Sequence, residues 1–337
     1  MTASPAYAVV IPTVGRPCLA RCLAALADSV GPGPREVVVV DDRPDARPPL
    51  DLAALGQLQG VARLLHSGGR GPAAARNTGW RAVSAPWVVF LDDDVRVTPA
   101  WRTKLEADLG GAPSNVGGVQ GLLEVPLPAD RRPTDWERNT AGLGGAWWAT
   151  ADMAYRTAVL SAVGGFDERF PRAFREDADL ALRAMAAGWV LERGARVTRH
   201  PVRPSDPWVS LRQQAGNADD ALMVRLHGRN WWQRAGAPRG RLRRHAAVTA
   251  AGAAAAVLAL ARRPGPSAAL GLGWALGTAE FAWTRISAGP RTPREVAAMV
   301  VTSVAIPPLA VWHRLRGAWH HRGGQPLPAS ARRGPAS

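Results

Sequence analysis

Val88-Val89-Phe90-Leu91-Asp92-Asp93-Asp94 is the stretch on which the fold turns. With Trp87 it reads as a strand buried on both faces, because no polar residue alternates with the apolar ones. Three carboxylates follow at once, and side by side they repel one another unless a cation sits among them. Upstream, residues 71–83 read as a helix containing Ala73-Ala74-Ala75-Arg76-Asn77. Residues 61–65 read as a strand, and residues 36–40 as another that ends on Asp41-Asp42. Residues 18–26 read as a helix, and residues 8–11 as a strand closed by Pro12. Strand–helix alternation with continuous apolar strands predicts an α/β fold with a parallel sheet covered on both faces. Both acidic clusters then lie beyond strand C-termini, where open α/β sheets bind ligands.

Downstream, residues 113–150 are rich in Gly, Pro and Trp and read as loops with short mixed strands. Residues 157–163 read as a helix stopped by Gly164-Gly165, residues 177–187 as one stopped by Gly188, and residues 208–227 as a helical segment. Past Arg244 the texture changes to three apolar runs, residues 246–261, 267–283 and 296–312, broken by Arg262-Arg263-Pro264 and Pro307-Pro308. Each is shorter than the ~20 residues of a comfortable membrane span, so a buried helical bundle and a short membrane-inserted hairpin both fit. Arg241, Arg243, Arg244, Arg262 and Arg263 would suit lipid headgroups. The tail, residues 323–337, is expected to be disordered.

The chain has 337 residues, 47% hydrophobic and 20% charged, which excludes global disorder. Its net charge of +15 is uneven: residues 1–195 hold 21 basic against 22 acidic groups, and residues 196–337 hold 21 against 5. Only Lys104 is a lysine, and apart from Trp231-Trp232 no aromatics interleave with arginines, so a nucleic-acid partner is not expected. The only cysteines, Cys18 and Cys22, exclude a disulfide scaffold and read as helix packing residues. Residues 1–8 lack a signal-peptide pattern, so the catalytic part is expected to fold in the cytoplasm.

Asp92-Asp93-Asp94 suits a hard divalent ion, Mg²⁺ or Mn²⁺, which binds through one or two carboxylates plus substrate phosphates. An isolated acidic triplet is more often a solvated turn; its place at a strand end favours the ligand reading. Glu176-Asp177 with Asp179 opens a helix, where acidic residues often only cap. One of them can instead serve as general base toward a hydroxyl. A carboxylate of Asp41-Asp42 can accept hydrogen bonds from a nucleobase or ribose.

In order, Val9-Val10-Ile11-Pro12-Thr13, Val38-Val39-Val40-Asp41-Asp42, Ala75-Arg76-Asn77-Thr78-Gly79, Phe90-Leu91-Asp92-Asp93-Asp94, Gly164-Gly165-Phe166-Asp167-Glu168 and Glu176-Asp177-Ala178-Asp179-Leu180 resemble the family 2 glycosyltransferases of the GT-A fold. The resemblance covers about residues 7–230. It implies a Rossmann-like nucleotide-binding sheet with an acceptor subdomain, residues 1–230, divided into a nucleotide-sugar half (1–112) and an acceptor half (113–230). A helical, apolar and basic region, 231–322, follows.

Carried over residue by residue, the resemblance puts Asp42 at the base of the nucleotide, with Pro12 and Thr13 beside it in the pocket. Arg76 falls by the ribose and phosphates, and Asp92, Asp93 and Asp94 form the DxD motif, Asp94 being the direct metal ligand. Asp177 is the catalytic base with Glu176 as its partner. His200 resembles a histidine that completes the metal site in some relatives, although a lone histidine is as often structural. Trp147, Trp148 and Asp152 lie where an acceptor could pack; Trp147-Trp148 read slightly better as core. The Gln-x-x-Arg-Trp signature of processive synthases has no match in Arg212-Gln213-Gln214-Ala215-Gly216-Asn217, which implies one sugar per event. The expected enzyme is therefore an inverting, metal-dependent transferase using a nucleotide-sugar donor. Its acceptor would be a glycan or lipid-linked envelope precursor, at the cytoplasmic face of a membrane. A sugar nucleotidyltransferase would want a Gly-rich phosphate loop, for which Gly15-Arg16 is a poor substitute. A non-catalytic, membrane-tethered nucleotide-sugar binder would have no use for so many juxtaposed carboxylates.

Overall fold

The computed structural model describes residues 4–325 and 327. Eight strands form one sheet: β1 (Tyr7–Thr13), β2 (Glu36–Asp41), β3 (Ala62–His66), β4 (Trp87–Leu91), β5 (Arg96–Val97), β6 (Val116–Glu124), β7 (Asp152–Arg156) and β8 (Val190–Arg199). Their spatial order is β3-β2-β1-β4-β7-β6-β8-β5. The parallel sheet expected from the sequence is only half of it. β3, β2, β1 and β4 pair in parallel, but β7 runs antiparallel to both β4 and β6, β8 parallel to β6, and β5 antiparallel to β8. The chain runs outward from β1 to β3 and then returns to β1's other side with β4. That reversal opens a crevice at the C-terminal ends of β1 and β4, the usual ligand position of such sheets.

Twelve α-helices accompany the sheet among the described residues: α1 (Leu19–Asp28), α2 (Pro72–Arg81), α3 (Trp101–Gly110), α4 (Asp135–Ala141), α5 (Thr157–Val163), α6 (Glu176–Ala186), α7 (Val209–Arg212), α8 (Gly216–His227), α9 (Trp231–Arg234), α10 (Leu242–Leu260), α11 (Pro264–Ala288) and α12 (Pro293–His320). The odd and even positions of the central strands face opposite ways, and both are apolar. Val9, Ile11, Val37, Val39, Val89 and Leu91 pack with α1 and α3. Val10, Val38, Val40, Val88 and Phe90 pack with α2, α5 and α6. Gly79 lets α2 lie directly on the sheet, since a β-carbon there would collide with Val10 and crowd Val40. That close approach sets the height of Arg76 and Asn77, one turn earlier on α2.

Residues 113–150 are more regular than their composition suggests. They contain the nine-residue β6 and the helix α4, whose Thr134 hydroxyl accepts from Glu137 N while the Glu137 carboxylate accepts from Thr134 N. Val119 and Leu123 of β6 are core, so tertiary burial outweighs the local abundance of Gly. The segment 208–227 is α7, a 3₁₀ turn (Gln213–Ala215) and α8 rather than one helix. The three apolar runs extend into helices of 19, 25 and 28 residues, and Pro307-Pro308 lie inside α12 without ending it. α12 packs back along α8, where Gly317 meets Ala218. Of the expected tail, Gly323, Gly324, Gln325 and Leu327 are described, and residues 326 and 328–337 lie outside the described residues.

Candidate active site

The three aspartates after β4 split by direction. Asp93 turns into the protein, where its carboxylate accepts from Thr13 Oγ1 at 2.5 Å and from Arg16 Nη1 at 2.8 Å. It ties the end of β1 to the end of β4. Asp92 and Asp94 face the other way and meet His200, which follows β8; one donor atom from each lies within 4.8 Å of the others. Two carboxylates and an imidazole at that spacing are a donor set for a divalent ion of the Mg²⁺ or Mn²⁺ type. Burial, and then the charge of Asp92, push the Asp94 carboxyl above its ordinary range, the strain that a bound cation relieves. The residues present thus fit the metal. Asp94 Oδ2 also pairs with Arg203 Nε at 2.9 Å, and Asp94 Oδ1 lies 3.5 Å from His200 Nε2.

A second acidic group opens α6. Arg175, at φ 77°, makes the left-handed step into the helix; its guanidinium bonds Asp220 at 2.8 Å and lies over the rings of Phe174 and Trp231. Glu176 is buried, with Oε1 accepting from Arg76 Nη1 at 2.8 Å and Oε2 without a hydrogen-bond partner among the described residues. Burial, reinforced by the charge of Asp177 and opposed by Arg76, lifts the Glu176 carboxyl to about 8. Burial also raises the half-buried Asp177, whose Oδ1 accepts from Ala178 N at 2.7 Å. Asp179 differs. Burial alone would raise it, but hydrogen bonds with His227 and Arg183 outweigh that and hold it below the usual carboxylate range. Asp179 is therefore a charged anchor for the first turn of α6, whereas burial raises both carboxyls of the Glu176-Asp177 pair above their ordinary range.

Arg76 joins the two groups. Its guanidinium donates to Asp92 Oδ1 and to Glu176 Oε1, each at 2.8 Å, so a single side chain separates the metal-type cluster from the α6 carboxyls. It is buried, and Asn77 beside it donates to Phe166 O and accepts from Phe166 N, which fixes α2 to the segment leading into α6.

On the β1–β2 side, Pro12 is buried within β1 opposite Val40, and Thr13 ends that strand. Asp42 accepts from Ser67 Oγ, Arg70 N and Gly71 N at 2.7, 3.0 and 2.8 Å, so its carboxylate closes the loop that leads into α2. Asp41 is engaged by Arg43.

The acceptor-side residues read from the sequence separate. Trp147 is 44% exposed, with the Arg193 guanidinium 3.9 Å over its ring. Trp148 is packed in the core at φ 66°, so the core reading made for the Trp147-Trp148 pair holds for Trp148 and not for Trp147. Asp152 departs from the acceptor expectation. It is fully buried in β7, accepting from Trp101 Nε1, Thr198 Oγ1 and Arg196 Nε at 2.7, 2.6 and 2.8 Å. Arg196 is also fully buried and bridges Asp152 to Asp108. Removing one partner strands a buried charge, so Arg196→Met should cost about 3–5 kcal/mol in urea unfolding while leaving the KM for the acceptor unchanged.

Sequence reasoning missed Arg203, Arg16 and the Asp179–His227 contact. Arg203 sits in an irregular Pro-rich segment with no periodicity to mark it. His227 lies 48 residues from Asp179, and only the packing of α8 beside α6 brings them to 2.7 Å.

Residues 8–122 match the model of the family described as Glycosyl transferase family 2. The chain is 31% identical over 183 residues to a pre-mycofactocin glycosyltransferase of Mycobacterium tuberculosis, covering 49% of this chain and 36% of that protein. It is 29% identical over 220 residues to a validoxylamine A glucosyltransferase of Streptomyces hygroscopicus subsp. limoneus, covering 55% and 49%. The chain thus spans between about a third and a half of these curated relatives. Among solved structures it is similar to the mannosyltransferase PcManGT from Pyrobaculum calidifontis, in complex with GDP-Man and Mn²⁺. The TM-score is 0.58 at 21% identity, over 95% of this chain and 88% of that one. The fold is GT-A-like.

Proposed function

We propose that this chain, whose residues 8–122 are a family 2 glycosyltransferase segment, transfers a single sugar from a nucleotide-sugar donor to a hydroxyl acceptor with inversion at the anomeric carbon. One observation carries the reading: the Asp92, Asp94 and His200 cluster and the Glu176-Asp177 pair meet on the two sides of one buried guanidinium, Arg76. The matched family segment and the transferase names of the curated relatives support the same class.

Asp92, Asp94 and His200 would hold the divalent ion. Bound there, it would neutralise the charge that develops on the leaving nucleoside diphosphate. Thr13, Pro12 and the Asp42-closed loop form the floor on which the nucleotide rests. Asp177 takes the proton of the acceptor hydroxyl as that oxygen forms its bond to the anomeric carbon and the diphosphate departs from the opposite side. A single displacement inverts configuration. Glu176, lifted to about 8, keeps its proton at neutral pH, which leaves one negative charge on the pair and concentrates it on Asp177. Arg76 fixes the spacing between base and donor cluster. Arg203, 43% exposed on its side chain and paired with Asp94, would add a positive charge beside the leaving diphosphate. The acceptor in this reading is a glycan or lipid-linked envelope precursor, and the lack of a processive signature supports one transfer per event.

The test is a screen of nucleotide sugars with the purified full chain, scoring nucleoside diphosphate release with Mg²⁺, Mn²⁺ or EDTA. Metal-dependent release from one donor is expected. No release from any donor, or pyrophosphate release from a nucleoside triphosphate instead, would reject the proposal.

A further inference from the structure

α10 and α11 form an antiparallel hairpin packed through small residues. A β-carbon on Gly252 would meet Trp274 at 2.8 Å, and one on Gly277 would meet Val248 at 2.5 Å. Close approach through glycine is how helices associate where no hydrophobic force drives them together, as in lipid. Away from each other, α10 and α11 pack only against α12 among the described elements that contact them closely, and their outer sides are bare. α10 buries no residue at all, and α11 buries only Thr278, Ala282 and Arg285, in the half that faces the catalytic part. Beyond that half the surface is apolar all round, with Leu260 86%, Val257 64% and Leu272 60% exposed. A helix apolar on every side belongs in a protein core or in lipid, and beyond α12 no described part of this chain covers the outer side of the hairpin.

Charge decides between lipid and a second copy. Residues 241–291 carry seven arginines and one acidic residue, Glu280, which is already paired with Arg241 and Arg244. Arg241, Arg243 and Arg244 stand at one end of α10, and Arg262 and Arg263 at the other. The 17 residues between Arg244 and Arg262 rise about 25 Å, a few ångströms short of the ~30 Å hydrocarbon thickness of a bilayer. Two copies packed through this face would set arginine rows against each other, whereas anionic headgroups neutralise them. Among the described residues α12 is the helix long and apolar enough to cross a membrane by itself, but its Met299, Ile306 and Ala310 are buried in the protein. Val300, Val301, Val304 and Trp312 of α12 are exposed too, so α12 extends the free apolar surface of the hairpin.

We infer that the α10–α11 hairpin docks the protein into a lipid bilayer that carries anionic headgroups. The dock is coupled to the catalytic part. Arg285 of α11 is buried and donates to Thr302 and Ser303 of α12, to Asp135 of α4 and to Ser210 of α7. α7 follows directly on the segment that carries Arg203. The seated hairpin thus holds the cleft at a fixed place above the membrane, where a lipid-linked acceptor would present its hydroxyl. This last step rests on the proposed transferase activity; the docking itself does not.

The experiment is flotation of the full chain with vesicles of phosphatidylcholine alone or mixed with phosphatidylglycerol, beside the double variant Leu260→Glu/Leu272→Glu. Both side chains are exposed, so the variant keeps its thermal midpoint and its metal-dependent diphosphate release. The native chain should float with the mixed vesicles, more weakly with phosphatidylcholine, and the variant should partition about 100-fold less. Native chain that stays at the bottom with mixed vesicles overturns the inference. So does equal flotation of the variant, or a native dimer in solution that the same substitutions dissociate. Flotation without diphosphate release would instead sink the transferase reading and leave the docking standing.

Discussion

Asp177→Asn should lower kcat by about 10²–10⁴-fold, the range for loss of a general base, with donor affinity within about twofold of native. The amide keeps the shape of the side chain but cannot take the acceptor's proton. Donor affinity survives because Asp177 stands on the α6 side of Arg76, away from the Asp92, Asp94 and His200 cluster. Stability should hold or rise. Burial already pushes the Asp177 carboxyl upward, so its charge costs folding energy that the amide does not. The same change removes a negative neighbour from Glu176, whose carboxyl should titrate lower than about 8 while burial still keeps it above the ordinary range. Steady-state rates, calorimetric donor titration and carboxyl infrared bands read these three effects. A variant that turns over like the native enzyme would remove Asp177 from the base role.

Asp94→Asn should abolish metal-stimulated donor binding, weakening the ion by about 100-fold or more, since a neutral amide replaces one of two carboxylates in the set. Mn²⁺ should then no longer raise the thermal midpoint, as it should in the native chain by binding the folded state alone. The contrast is Asp93→Asn. Asp93 faces Thr13 and Arg16, so its loss should lower the thermal midpoint while Mn²⁺ still raises it. Equal behaviour of the two variants toward Mn²⁺ would mean that the triplet does not divide as its geometry implies.

The crevice was legible because strand ends are. A run such as Val88–Leu91 can only be a buried strand, and polar residues that follow it must emerge at the sheet's edge. The same reasoning failed at Asp152. Its neighbours in sequence gave no hint that Arg196, 44 residues on, would neutralise it inside the sheet. It expected only short mixed strands where the nine-residue β6 lies, because the glycines at 117, 118 and 121 lower local strand propensity while their smallness is what the packing there needs. A β-carbon on Gly117 would strike Val159 and Trp189, and one on Gly118 Met153 and Tyr155.

The alternation of strands and helices from β1 to β4, the acidic clusters at their ends, the uneven charge and the apolar C-terminal runs are local properties, and the chain's own periodicity and composition settled them. Which carboxylate turns inward, which pairs with Arg76 and which gathers with His200 were matters for the folded sheet. Apart from Arg76–Asp92, 16 positions apart, those outcomes depend on contacts between residues 77 to 106 positions apart, as in Thr13–Asp93, Arg16–Asp93, Arg76–Glu176 and Asp94–His200. No local propensity encodes a desolvated charge's partner. Only the packing that excludes water around it does.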